Sequence, residues 1–370
     1  SRNPKITATM RVVQLIDSLE AGGAERMAVN YANALAGEIA FSALVTTRKE
    51  GILKKQISNK TNYLFLNKKN TADIKALFKL RKYLQKHKVQ IIQAHSSSFF
   101  LAVLVKLSLP GVKIIWHDHY GNSEFLEKRP KAFLLLAKYF FSGIIVVNEK
   151  LKTWSHEQLH FKNVIYLPNF ALIEKEVYQQ TILAGQFGKR IVCLANLRPQ
   201  KNHFLLTAVA SKLKESHPEW TFHLIGKNFQ DSYAHRLKEN IKLQQLENHV
   251  FLYDSCSDIA GVLEQVQIGI LTSDSEGLPV ALLEYGVHKK AVVLTDIGQV
   301  AAVIENNNNG FLVPSNDVML FYNRLVELIE NEPLQETFAK QLHEKVMEHF
   351  SVTAVMVKYQ HWIRTTITNE

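Results

Sequence analysis

Along this chain of 370 residues, short unbroken apolar runs alternate with longer stretches in which apolar residues recur every three or four positions. Runs of the first kind read as buried strands, and stretches of the second as helices with one covered face. In the first half the runs predict strands over 12–17, 42–46, 63–66, 89–94, 113–116, 143–148 and 164–169. Helices are expected between them over 24–35, 71–88, 99–109 and 132–137. The second half predicts strands over 190–195, 221–226, 250–253, 266–271, 291–295 and 311–314. Its helices are expected from 202 to about 215, ending near 247, over 257–265, from 279, from 298, and over 317–331 and 334–350, with a last one over 353–366. Two successive series of strand and helix predict an α/β protein of two doubly wound, Rossmann-like domains. The first is expected over 1–170 and the second over 189–350, with an interdomain linker over 171–188, where no apolar period is evident. Met10 opens the first strand and is expected to be the native start, with residues 1–9 a lead outside the fold.

Charge changes this picture more than composition does. Residues 1–170 hold 26 Lys and Arg against 11 Asp and Glu, a balance of +15; residues 171–370 hold 18 against 23, a balance of −5. A basic half suits nucleic acid, an anionic membrane or an anionic acceptor, and no nucleic-acid-binding motif supports the first. The stretch 73–88 puts Ile74, Leu77, Phe78 and Leu84 on one face and six cations on the remainder. A second basic segment, 127–131, leads into the apolar 132–137. A solvated face explains the first and core leucines equally explain the second, and a membrane interface is the alternative for each. Cys193 and Cys256 have no disulfide or metal-ligand spacing, which fits reduced thiols in a cytoplasmic protein. No apolar stretch is long enough to span a membrane, and no signal-peptide pattern is read.

Candidate chemistry gathers where strands end. After the strand 266–271 come a polar loop, a Gly-x-Pro turn and a helix, flanked by Glu276 and Glu284. Helix starts at a sheet's carboxyl edge favour anions, and a carboxylate can accept hydrogen bonds from adjacent sugar hydroxyls. Gly277 and Leu278 lie in that turn as the expected backbone contacts. Gly22 and Gly23 break the chain after the first strand, without meeting the dinucleotide fingerprint. Arg198 and Lys201, three apart in a strand-to-helix loop, form a pair able to grip a diphosphate. His117 and His119 follow the strand 113–116, at the sheet's carboxyl edge, and by themselves read as a metal pair lacking a third ligand nearby or as a structural turn.

The spacing Ser273-x-x-Glu276-Gly277-x-Pro279-x4-Glu284 resembles the E-x7-E signature of the retaining GT-B glycosyltransferases of the GT4 type. Gly22-Gly23-Ala24-Glu25, the Arg198/Lys201 loop and the closing Tyr166-Leu-Pro-Asn169 are similar to that family's corresponding segments. The resemblance implies a GT-B fold with its two domains facing across a cleft, and a terminal helix, 353–370, packing back on the first domain. It implies transfer from a nucleotide-diphosphate sugar, a UDP- or GDP-sugar, to a glycan or lipid-linked acceptor with retention, as in bacterial surface polysaccharide synthesis. Glu276 would face the donor sugar and Glu284 the ribose; Arg198, Lys201 and the glycine amides would meet the diphosphate; His117 and His119 would lie near the sugar. No cofactor or metal is expected, and no Asp-x-Asp occurs in the chain. The expected location is cytoplasmic, peripheral on the inner face of the plasma membrane. Asn196 and Ala302 stand where many members carry arginine and glutamate. Two other readings stay open: an epimerase or phosphorylase of the same architecture, and a non-catalytic nucleotide-sugar binding protein.

Overall fold

The first sheet contains β1 (Arg11–Ser18), β2 (Phe41–Lys49), β3 (Asn62–Phe65), β4 (Ile91–His95), β5 (Lys113–Asp118), β6 (Phe141–Val146) and β7 (Val164–Tyr166), all parallel, in the order β3-β2-β1-β4-β5-β6-β7. The second contains β8 (Arg190–Leu194), β9 (Thr221–Ile225), β10 (Val250–Tyr253), β11 (Ile268–Leu271), β12 (Ala291–Thr295) and β13 (Phe311–Val313), also parallel, in the order β10-β9-β8-β11-β12-β13. Strands covered on both faces need apolar side chains at nearly every position, so they stand out in the sequence as unbroken runs. In each sheet the order reverses beside its first strand, between β1 and β4 and between β8 and β11. Loops leaving such a pair diverge to opposite faces and open a crevice at the carboxyl edge.

The computed structural model describes residues 9–368 apart from 21, 71–72, 121–125, 128 and 173–178. The lead over 1–8, Lys128 of the expected basic segment and the middle of the expected linker lie outside the described residues. The chain divides into two compact units, Ser1–Phe170 with Val352–Glu370, and Ala171–Ser351. The described part of 171–188 is bound into the second unit. Leu183 is buried in its core, and the Gln180 and Thr181 amides donate to Asp258 at 2.8 and 2.6 Å.

The helix Val352–Trp362 lies in the first unit, although the second unit intervenes in sequence. Trp362 Nε1 donates to Asn163 Oδ1 at 3.0 Å, and its ring occupies the space a Cβ on Gly143 would need, at 2.6 Å. Gly143 is thus a packing requirement set by the far end of the chain.

Three local expectations change. No α-helix starts at 298; a 3₁₀ turn, Val300–Ala302, stands there instead. Gly298 has φ +56°, and a Cβ on it would lie 2.0 Å from the Glu276 carbonyl oxygen, so this backbone is shaped to pass close to the 276 loop. A helix Glu149–Gln158 follows β6, capped by Asn148 Oδ1 accepting from the Leu151 amide at 2.8 Å; its few apolar positions hid it. Arg129, expected among surface cations, is buried instead. Its guanidinium donates bidentately to Asp118 at 2.6 and 2.8 Å and lies over the rings of Tyr120 and Trp154.

Candidate active site

In the second unit, the loops leaving β8 and β11 are stitched together. Pro199–Lys201 forms a 3₁₀ turn, and Asn202 turns the chain in the left-handed region at φ +44°. Asparagine tolerates that conformation better than most residues. Its Oδ1 caps the helix His203–Ser216 through the Leu205 amide at 3.2 Å, while its Nδ2 donates to Asp274 Oδ1 at 2.9 Å. The Asp274 amide donates to Gln200 O at 2.8 Å, and Thr272 Oγ1 donates to Lys201 O at 3.1 Å. These bonds bring the Lys201 ammonium onto Glu276 Oε1, which also accepts from Ser273 Oγ at 2.8 Å. The two charged side chains are 22% and 10% exposed, so the pair sits in the crevice with one side left toward solvent.

Behind this pair the scaffold is rigid. Tyr285, on the helix Val280–Val287, puts its hydroxyl between the two diverging strands, accepting from the Leu194 amide at 2.9 Å and reaching Ile270 O at 3.2 Å. Gly269 makes room for that ring, since a Cβ there would lie 2.7 Å from it. From the other side the Gln299 amide donates to Gly277 O at 3.2 Å. Burial pushes the Cys193 thiol up to about 12, which leaves it protonated and inert beneath the pair.

The remaining residues of the expected donor site are placed less uniformly. Arg198 is exposed, and its guanidinium lies 4.0 Å from the centre of the Phe229 ring rather than on Glu276. Glu284 is half-buried in the second turn of its helix. Leu278 is 3% exposed in the hydrophobic core, so its side chain serves packing rather than a substrate. Asn196 Oδ1 accepts from the Lys227 amide at 2.8 Å, a structural bond where an arginine would carry charge.

In the first unit, Gly22 and Gly23 start the helix Gly23–Leu35. The Gly22 amide donates to Glu20 O at 2.8 Å, and a Cβ on Gly22 would lie 2.1 Å from Glu25 Oε2. The Glu25 carboxylate therefore folds over the loop, held by Ser18 Oγ at 3.1 Å, and burial raises its pKa. The acid of the Gly-Gly-x-Glu loop thus packs against Gly22.

The histidines form a larger cluster than the sequence showed. His95 and His117 are register partners on β4 and β5, so His95 joins His117 and His119. One ligating atom from each of the three lies within 4.8 Å of the others, the donor set of a transition-metal site. The third ligand that seemed missing is His95. Yet the trio is bonded without an ion. Gln93 Oε1 accepts from the Tyr359 hydroxyl at 2.7 Å and from Gln14 Nε2 at 3.3 Å, so its amide nitrogen donates to His117 Nδ1 at 3.0 Å. That bond leaves the His117 ring proton on Nε2, a buried atom with no hydrogen-bond partner among the described residues. Gln14 Oε1 in turn accepts from His95 Nε2 at 2.7 Å, which leaves His95 Nδ1 to accept from His119 Nε2 at 2.9 Å. The chain therefore presents a donor at His117 Nε2 and an acceptor at His119 Nδ1. Burial holds all three rings neutral, with His119 pushed down to about 3.

Family models described as "Glycosyl transferases group 1" and "Glycosyltransferase Family 4" match residues 175–345 and 21–171. The chain belongs to the GT4-type GT-B glycosyltransferases. Among curated relatives, the poly(ribitol-phosphate) alpha-N-acetylglucosaminyltransferase of Staphylococcus aureus (strain COL) is 23% identical over 66% of this chain, a match that spans 48% of that relative. The UDP-Gal:alpha-D-GlcNAc-diphosphoundecaprenol alpha-1,3-galactosyltransferase of Escherichia coli is 24% identical over 76% of each protein. Anabaena HepE, solved with UDP, has a TM-score of 0.75 at 17% identity, covering 96% of this chain and all of that one. S. aureus TarM, solved with UDP and a sugar ligand, gives 0.75 at 16% identity, covering 95% and 99%. These structures share the fold.

Sequence reasoning about this glycosyltransferase missed Gln14, Gln93, His95, Tyr359 and Gly298. Only His95 left a signal, since it ends the strand next to the one that ends at His117. The two glutamines read as polar interruptions of apolar strands, and nothing local marks them as partners.

Proposed function

We propose that this glycosyltransferase moves a hexose from a UDP- or GDP-sugar to a glycan or lipid-linked acceptor, retaining anomeric configuration and using no metal. The setting is bacterial cell-surface polysaccharide synthesis at the cytoplasmic side of the membrane. The observation that carries the reading is the Lys201–Glu276–Ser273 arrangement at the β8/β11 switch point. Before a donor arrives, the carboxylate holds the ammonium in position, so little reorganisation is needed when phosphate oxygens replace it.

In the transfer, the bond between the anomeric carbon and its phosphate oxygen breaks, and that oxygen leaves with the nucleoside diphosphate. The acceptor hydroxyl oxygen bonds to the same carbon, and its proton passes to the departing phosphate. Lys201 stabilises the charge that grows on the β-phosphate, with Arg198 as a second cation. Glu276 accepts from the donor sugar and Glu284 from the ribose hydroxyls. Relatives named for UDP-galactose and for diphosphoundecaprenol-linked acceptors support the donor and acceptor classes, as do HepE structures with UDP-glucose.

Thermal shift against UDP-, GDP- and ADP-sugars, with and without EDTA, tests the reading. A ligand at one hundred times its Kd stabilises by about 2.7 kcal/mol. Stabilisation by one nucleotide class, unchanged by EDTA and lost in Glu284→Ala, is expected. Indifference to all three would refute it.

A further inference from the structure

Large apolar residues exposed on this protein are not scattered. Of the thirteen among the described residues, eight fall within residues 74–139 of the first unit. On the helix Phe99–Ser108 they are Phe100, Leu104 and Leu107, at helical spacing i, i+4, i+7, with Leu107 64% exposed. On the segment 132–140 they are Phe133, Leu136 and Tyr139, at 68, 69 and 80%. The Phe100 and Phe133 rings meet edge to face, with centroids 5.5 Å apart, so the two stripes form one patch. The helix Ile74–Lys86 packs beside Phe99–Ser108 and adds Ile74 and Phe78.

Charge distinguishes the possible occupants. These three segments, 74–86, 99–108 and 132–140, hold seven Lys and Arg and no Asp or Glu. Lys75, Lys79, Lys82 and Lys86 are exposed. Leu134 and Ala137 turn into the core, so the outward Phe133 and Leu136 are surplus to packing. Arg129 takes no part, because Asp118 neutralises it. Among the described residues no helix is long and apolar enough to cross a membrane, which leaves contact at its surface.

We propose that this three-segment patch docks the protein on an anionic bilayer, aromatic and leucine side chains entering the headgroup boundary while the lysines meet lipid phosphates. Each basic residue near such a surface strengthens binding by roughly fivefold and is screened by salt, and the apolar stripe contributes regardless of charge. The proposal deepens, and rests on, the reading of a lipid-linked acceptor: a docked enzyme meets an acceptor confined to the membrane plane.

Flotation of the full chain with vesicles of phosphatidylcholine alone, or with 30 mol% phosphatidylglycerol, tests it. Expected is binding at least about tenfold tighter to the anionic vesicles, weakened by 0.5 M salt. Phe133→Ser/Leu136→Ser should lose about tenfold with unchanged melting temperature, and Lys75→Glu/Lys82→Glu should lose the preference for anionic lipid. Equal binding to both vesicle types, or variants that bind as wild type, would overturn the proposal. So would a wild-type dimer in size exclusion that Phe133→Ser/Leu136→Ser dissociates, which makes the patch a contact between copies. Stabilisation by UDP, measured on the same samples, separates the two readings: if it persists while vesicles are ignored, docking fails and the transferase assignment stands.

Discussion

The Lys201–Glu276 pair makes the sharpest test of the site, because its energetics follow from its burial. Two unit charges about 3 Å apart at an effective dielectric near 20 attract by ~5 kcal/mol. Against this stands a desolvation penalty of several kcal/mol for each ion, and the side chains are only 22% and 10% exposed. The surplus is small, but removing one partner leaves the other's penalty uncompensated. Glu276→Gln strips the ammonium of its carboxylate and is expected to cost ~2–3 kcal/mol of stability. Lys201→Met costs less, ~1–2 kcal/mol, because Ser273 Oγ still donates to Glu276. The double variant removes both charges, so it should fall short of the summed losses by ~1–2 kcal/mol. Urea unfolding followed by tryptophan fluorescence at neutral pH measures all four corners of the cycle. A coupling below about 0.5 kcal/mol would refute a pre-formed ion pair at this switch point. Activity should separate from stability: Lys201→Met is expected to lose roughly 10²–10³-fold in kcat, the usual effect of removing a group that stabilises developing negative charge.

Two further outcomes follow from the histidine chemistry. Tyr359→Phe deletes the hydroxyl that fixes the Gln93 amide, so ¹⁵N chemical shifts of the His117 ring should move from a single Nε2-protonated tautomer to a mixture; a ring locked as in wild type would refute the relay. Stability should also fall on acidification. His119, His203 and His223 are held near pKa values of about 3, 4 and 3 by burial, against about 6.5 unfolded, so the unfolded chain binds protons that the native state does not. The native advantage is complete above pH ~6.5 and is lost progressively as pH falls to about 4 for His203 and about 3 for His119 and His223, at up to ~1.4 kcal/mol per histidine per pH unit. A melting temperature unchanged between pH 7 and 5 would contradict that neutral burial.

The sequence by itself determined the two parallel sheets, because a strand covered on both faces must be apolar along its whole length and each such run betrays itself locally. It also placed Glu276, Lys201 and the glycine pair in loops after strands, since polar loops after apolar runs can lie nowhere else in this architecture. The helix Glu149–Gln158 escaped notice because Leu151 and Trp154 give it too little apolar period. The 3₁₀ turn at Val300–Ala302 was misread because the constraint on Gly298 is the carbonyl of Glu276, which sequence spacing does not reveal. What each polar residue meets was decided by tertiary structure alone. Lys201 and Glu276 lie 75 residues apart, and Tyr359 reaches Gln93 across 266. Such bonds depend on strand register and on the chain's return to the first unit. Secondary structure answers to neighbours along the chain, whereas the ion pair and the histidine relay answer to neighbours that only folding supplies.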